Sequence, residues 1–169
     1  FSMIRNIFLI TLFSLLTFSF NANSAAVKFG SVIISSTEIE AGIDPKKKKI
    51  TVKNAEVKFD DGSIYNGPIK KNKISGKGKL ILSDGTVYEG KFKSNKFVNK
   101  ISKNSRTYIK LNLKKGINVQ NQMKVKGLAK WYPADVVNGE FKLSKKGVLM
   151  ASQDEKAKQS SGGSGGSGC

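Results

Sequence analysis

One short string occurs twice in this chain. Asp61-Gly62-Ser63-Ile64-Tyr65-Asn66-Gly67 returns as Asp84-Gly85-Thr86-Val87-Tyr88-Glu89-Gly90, with every position displaced by 23. A fixed period of this size marks a repeat architecture, in which each unit is one supersecondary element that buries its apolar face only against its neighbours. The composition of the unit specifies a β-hairpin. Asp-Gly is a turn signal, because glycine accepts positive φ and aspartate bonds back to nearby backbone N–H groups. Ile64 to Lys70 is expected as a strand, Asn72 to Ser75 as its turn and Lys77 to Leu82 as the return strand. Ser83 to Gly85 turns again, and Val87 to Lys93 begins the next hairpin. Gly67, Gly76, Gly78 and Gly90 fall inside or beside strands, where glycine is weakening unless a ring or a backbone approaches closely. Tyr65 and Tyr88, with Phe92, are the rings expected to cover them, stacked as a thin core along the repeat axis.

Tyr65-Asn66-Gly67, Gly76-Lys77-Gly78, Asp84-Gly85 and Tyr88-Glu89-Gly90 together resemble the MORN (membrane occupation and recognition nexus) repeat family. The match covers one full unit with its flanks. Fainter units lie on both sides. Ala55 to Gly67 aligns with Gly78 to Gly90, and Gly127 to Gly139 keeps the same spacing, with Trp131 and Tyr132 before Asn138-Gly139 but Pro133-Ala134-Asp135 where Asp-Gly belongs. Ile101 to Lys115 alternates like a strand without repeat glycines, and Lys28 to Ser35 reads as a further strand. The expected fold class is all-β, an elongated meander of antiparallel hairpins with little central core, behind a helical signal peptide.

That leader is residues 1–26. Arg5 supplies a positive start, Ile7 to Phe20 is an uncharged run of 14 residues, and small residues follow, with cleavage fitting after Ser24 or after Ala26. A membrane span needs about 20 apolar residues. Residues 27–54 are expected as an N-terminal strand region with a lysine-rich connector, 55–100 as the repeats and 101–152 as a degenerate β-repeat region. Residues 153–169 are expected as a flexible tail, ending in an engineered-looking Gly/Ser linker and the chain's single cysteine, Cys169.

Chemistry is scarce. The chain has no histidine, which removes the usual general base and most zinc sites. Asp61 and Asp84 are turn residues first. Catalysis, a metal and a cofactor are not expected, nor is a small-molecule substrate. Charge is abundant instead: the net charge is +18, and 28 of the 30 basic residues are lysine. Lysine is a hydrated point charge, whereas arginine makes planar bidentate contacts. A lysine surface therefore predicts attraction to anionic membranes or envelope surfaces and not nucleic-acid readout. The candidate residues are the run Lys46, Lys47, Lys48 and Lys49, and the strand pairs Lys77 with Lys79 and Lys91 with Lys93. Trp131, in the least regular unit, is a candidate partner contact. The MORN resemblance implies a scaffold or interaction module. The sequence thus predicts an exported, non-enzymatic protein of the periplasm, cell envelope or medium. It would bind a protein partner or itself through hairpin edges or its aromatic face, or alternatively an anionic surface through lysines.

Overall fold

The computed structural model describes residues 24–162. The part of the expected leader up to residue 23, and the part of the expected Gly/Ser linker beyond residue 162, lie outside the described residues. Ala25 and Ala26 belong to the first strand. Cleavage after Ser24 would leave that strand whole, and cleavage after Ala26 would remove its first two residues.

Twelve strands and one helix follow one another: β1 (Ala25–Phe29), β2 (Val32–Ser36), β3 (Val52–Lys58), β4 (Ile64–Lys70), β5 (Lys73–Ile74), β6 (Gly76–Ile81), β7 (Val87–Phe92), β8 (Lys96–Lys100), β9 (Ser105–Asn112), β10 (Gly116–Lys124), β11 (Trp131–Val137), β12 (Glu140–Leu143) and α1 (Lys145–Ser161). Every pairing is antiparallel and between sequence neighbours, apart from β6, which pairs β4 past the short β5. Two sheets result, one running β1-β2-β3-β4-β6-β7 and the other β12-β11-β10-β9-β8. The protein is mostly antiparallel β-sheet arranged as a meander, as the turn chemistry predicts.

Two-residue turns set the registers. Lys71 and Asn72 both have positive φ, as do Ser94 and Asn95, and Asn138 and Gly139. This is the geometry whose twist matches that of the flanking strands. The first of these turns sits one residue earlier than the sequence indicates, so Lys73 and Ile74 form β5 instead of lying in the turn. The expected strand Lys28 to Ser35 is likewise a hairpin, broken at Gly30 (φ +66°) with Phe29 opposite Val32.

The core is thicker than a repeat stack alone provides. Phe97 of β8, Ile109 and Leu111 of β9, and Leu113 join one buried cluster with Val32, Ile34, Val57, Tyr65, Ile69, Ile74, Leu80 and Phe92 of the first sheet. The strands after the repeats therefore fold back to cover the inner face of the repeats. Gly30 meets Lys114 Cα at 3.4 Å from its would-be Cβ, which places the β9–β10 turn against the β1–β2 turn. At roughly 25 cal/mol per Å² of apolar surface removed from water, this cover stabilises more than further open hairpins would.

The polar tail expected from Gln153 is instead the greater part of α1. Ser144 caps the helix, accepting from Gly147 N at 3.0 Å, which satisfies one of the free N–H groups of the first turn. Gly147, Ala151, Asp154 and Lys158 form one stripe at helical spacing. Gly147 lies against the Pro133 carbonyl, Ala151 is buried, and Lys158 Nζ donates to Gly127 O at 2.7 Å. The buried Tyr132 hydroxyl donates to Asp154 Oδ2 at 2.7 Å. Leu149, Met150, Gln153, Glu155, Lys156 and Ala157 are all favourable helix formers; polarity of this kind marks an exposed helix as readily as a tail.

The Tyr132–Asp154 contact makes helix docking pH-dependent. The Tyr132 hydroxyl, followed by Lys130, lowers the Asp154 pKa. That contribution is present above the ordinary aspartate value of about 4 and is lost as pH falls through the lower folded value. Burial, and then Asp154, push the Tyr132 phenol up to about 12. Its contribution is present below the free-tyrosine value of about 10 and is lost as pH rises from there. Amide protection factors in α1, with the intrinsic pH dependence of exchange divided out, should therefore fall at both extremes, and Asp154→Asn should flatten the acid limb. An acid limb identical in wild type and variant would show that the contact does not hold the helix.

Candidate functional site

The repeat residues build a core. Asp61 Oδ1 accepts from Ser63 N, and Asp84 Oδ1 from Thr86 N, each at 2.9 Å. The Thr86 N–H lowers the Asp84 pKa. Gly62 and Gly85 take matching positive φ values of 89° and 88°. Tyr65 is fully buried and lies across Gly67 and Gly78, and its hydroxyl donates to Pro68 O at 3.1 Å. Burial raises its pKa to about 12, which suits a packing ring.

Tyr88 does not repeat this role. It stays partly exposed and tilts against Phe97 at 6.1 Å, and Phe97 is the ring that covers Gly90. Tyr65 has glycine both on its own strand and on the next, whereas the strand after β7 brings Phe97 and no Gly-x-Gly. Phe92 lies between Tyr65 (5.0 Å, edge-on) and Phe97 (4.7 Å, stacked). Gly76 is covered by Pro68. Phe97 and Pro68 were not legible as core partners from the Tyr-x-Gly pattern.

The lysine candidates are divided. Lys77 and Lys91 oppose each other directly on the outward side of the first sheet, but Lys79 opposes Glu89. Glu56 lies in the same depression of about 660 Å³, beside Asn66, Gly67 and Gly78. Lys93 stands at the bridge to Lys96. Lys46 to Lys49 occupy a loop fixed by Asp44 Oδ1, which accepts from Lys46 N at 2.9 Å, and by Lys48 with Glu40 at 3.4 Å. Lys77, Lys79 and Lys91 stand together on the outward side of the repeats, where Glu56 and Glu89 interleave with them.

The second sheet differs. Along β9, Ser105, Thr107, Ile109 and Leu111 are buried, while Arg106, Tyr108 and Lys110 face outward. Register then sets rows across the sheet: Lys100, Arg106, Gln122 and Pro133; Val98, Tyr108 and Gln120; Lys96, Lys110 and Asn118; and Lys124 opposite Trp131. The Arg106 guanidinium stands 4.1 Å from the Trp131 ring centroid and 5.3 Å from that of Tyr108, and Lys124 Nζ is 5.0 Å from Trp131. Arg106 Nε donates to Gln122 Oε1 at 2.8 Å, and Gln122 Nε2 donates on to Gln120 Oε1 at 3.2 Å. Burial lowers the Arg106 pKa. Residues 90–134 contain eleven lysines and Arg106, and no aspartate or glutamate. Trp131, the candidate partner contact, is thus one wall of a cationic cluster. Arg106, Tyr108 and Lys124 are the residues that sequence reading missed, and the acid-free stretch was the signal that could have found them. Among the described residues, no three His, Cys, Asp or Glu side chains gather as metal ligands would. No protein-family model matches the chain, and no curated protein matches it in a sequence search.

Proposed function

We propose that this chain is a non-enzymatic binding module of the exported, MORN-like β type, which holds an anionic partner on the outward face of its second sheet. The carrying observation is the acid-free face of β8, β9 and β10, with Lys96, Lys100, Arg106, Lys110 and Lys124 on rows set by strand register. Strands lie about 4.8 Å apart, so cations on neighbouring strands reinforce one another's field. Nothing on these strands offsets them. The repeat hairpins act as the platform, since their rings are committed to packing.

Binding of this kind is long-ranged and screened by salt. The protein should pellet with anionic vesicles or bind immobilised dextran sulfate at low ionic strength, ignore neutral vesicles and neutral dextran, and release as salt rises. Lys100→Glu with Lys124→Glu should remove most of this binding. Equal retention on neutral and anionic supports would overturn the reading. A second reading, a scaffold that pairs strands with a protein or with itself, is favoured by the open edges of β1 and β12, each paired on one side only, and by exposed Val136 and Val137 on β11. Open edges template strand addition, and such association would persist at high salt.

A further inference from the structure

We infer that the Arg106 cluster is a carboxylate-reading site for an acidic glycan, a polysaccharide segment bearing uronate groups; this rests on the anionic-partner reading above and names its ligand. Arg106 differs from every lysine on the face because its position is fixed. Its guanidinium stands over two rings, with Cζ 4.1 and 5.3 Å from their centroids, and its Nε is tied to Gln122 at 2.8 Å. A guanidinium has five N–H donors in a rigid fork. With Nε used internally, the two terminal nitrogens remain, and no ion pair among the described residues engages them. A planar fork already ordered, unpaired and surrounded by further cations is matched by a planar carboxylate, which it can bind bidentately. Less side-chain entropy is lost on binding than a free arginine would lose.

The neighbours select the rest of the ligand. Asn118, Gln120 and Gln122 alternate along β10 and pair with residues of the outward face of β9, giving a row of amides about 7 Å apart from one to the next. Amides both donate and accept, and so suit an array of sugar hydroxyls. Lys100, directly opposite Arg106, and Lys124, opposite Trp131, flank the fork for the next charged groups along a chain. A single-stranded nucleic acid would need free aromatic faces on which to stack bases, and the guanidinium already stands over both Trp131 and Tyr108. A bilayer would favour several exposed apolar anchors, and on the outward rows of β8, β9 and β10 Val98 is the one exposed aliphatic side chain among amides and cations.

The test uses the whole chain and its only tryptophan, Trp131, whose emission reports on the cluster directly. The probes are oligogalacturonate, its fully methyl-esterified form, dextran sulfate, single-stranded DNA and phosphatidylglycerol vesicles, all at one fixed ionic strength. Wild type is compared with Arg106→Lys, which keeps the charge and loses the fork, with folding checked by circular dichroism. Oligogalacturonate should shift the Trp131 emission and its ester should not. Arg106→Lys should weaken oligogalacturonate binding by about tenfold or more, the loss expected when a charged hydrogen-bonded pair is replaced by a point charge, and leave dextran sulfate binding within about twofold. Equal oligogalacturonate affinity in wild type and Arg106→Lys, with dextran sulfate still bound, would overturn the inference and leave the anionic reading standing. Tighter, Arg106-dependent binding of DNA or vesicles would overturn the choice of glycan. Binding of no polyanion at all would overturn both.

Discussion

Gly67→Ala is expected to lower the unfolding free energy by about 2–6 kcal/mol, the sum of a backbone strain cost and an overpacking cost of similar size. The backbone at Gly67 has φ +156°, a region that side-chain-bearing residues rarely enter. A Cβ there would lie 2.5 Å from the Tyr65 hydroxyl oxygen and 2.8 Å from Gly78 Cα. Neither neighbour can yield, because Tyr65 is enclosed and donates to Pro68 O, and Gly78 belongs to the adjacent strand. Gly85→Ala is the control. Its φ of +88° is also unfavourable, but nothing lies within 4 Å of the added carbon, so only the conformational cost of about 1–2 kcal/mol applies. Urea denaturation of both variants separates the two effects. A Gly67→Ala midpoint indistinguishable from that of Gly85→Ala would mean that Tyr65 is not rigidly seated. Pairing Gly67→Ala with Tyr65→Leu should be less damaging than the two singles summed, since the smaller side chain relieves the clash and the added methyl fills part of the cavity.

The strand–turn–strand pattern from Asp61 to Phe92 was legible in the sequence because there each local signal agrees with the others. The Asp-Gly turns, the apolar alternation and the 23-residue period all point to one hairpin. Outside that window the signals separate. The fold-back of β8 and β9 onto the repeats is a tertiary choice driven by burial of Phe97, Ile109 and Leu111, and no local pattern states which face will meet which. The helix α1 was hidden by its polarity, though Ser144, Gly147 and Ala151 carried its cap and its docking stripe. The cationic face was missed for a different reason. Lysines are spread through the repeats and the second sheet alike, and the decisive quantity is where carboxylates are missing. The repeats interleave Glu56 and Glu89 with their lysines, and the acid-free stretch begins just beyond them.

The period also encodes a contact that its turns alone do not reveal. Asn72 and Asn95 are displaced by the same 23 residues, and both take positive φ at the second turn position. Each fixes the preceding segment at two points. Asn72 Oδ1 accepts from Ile50 N at 2.6 Å while Asn72 N donates to Ile50 O at 2.9 Å. Asn95 does the same to Ile74, at 2.7 and 2.9 Å, and its own carbonyl accepts from Leu111 N at 2.8 Å. The turns are thereby linked in series, from the lysine loop through both repeats to β9 of the second sheet. Asn95→Ala should cost about 2–4 kcal/mol: the N–H of the fully buried Ile74 loses its acceptor, and alanine is strained at φ +64°. Asn95→Gly removes the strain but not the missing acceptor, and should fall between alanine and wild type. Asn95→Asp keeps the acceptor and tolerates the turn, so it should stay close to wild type. Thermal unfolding midpoints in the order wild type, aspartate, glycine, alanine would establish that the side-chain acceptor and the turn geometry contribute separately. A glycine variant as stable as the aspartate variant would show that the Ile74 bond contributes nothing. In that case the junction between the repeats and the sheet bearing the cationic face would rest on the backbone bonds of Asn95 and on the packing of Phe97, Ile109 and Leu111.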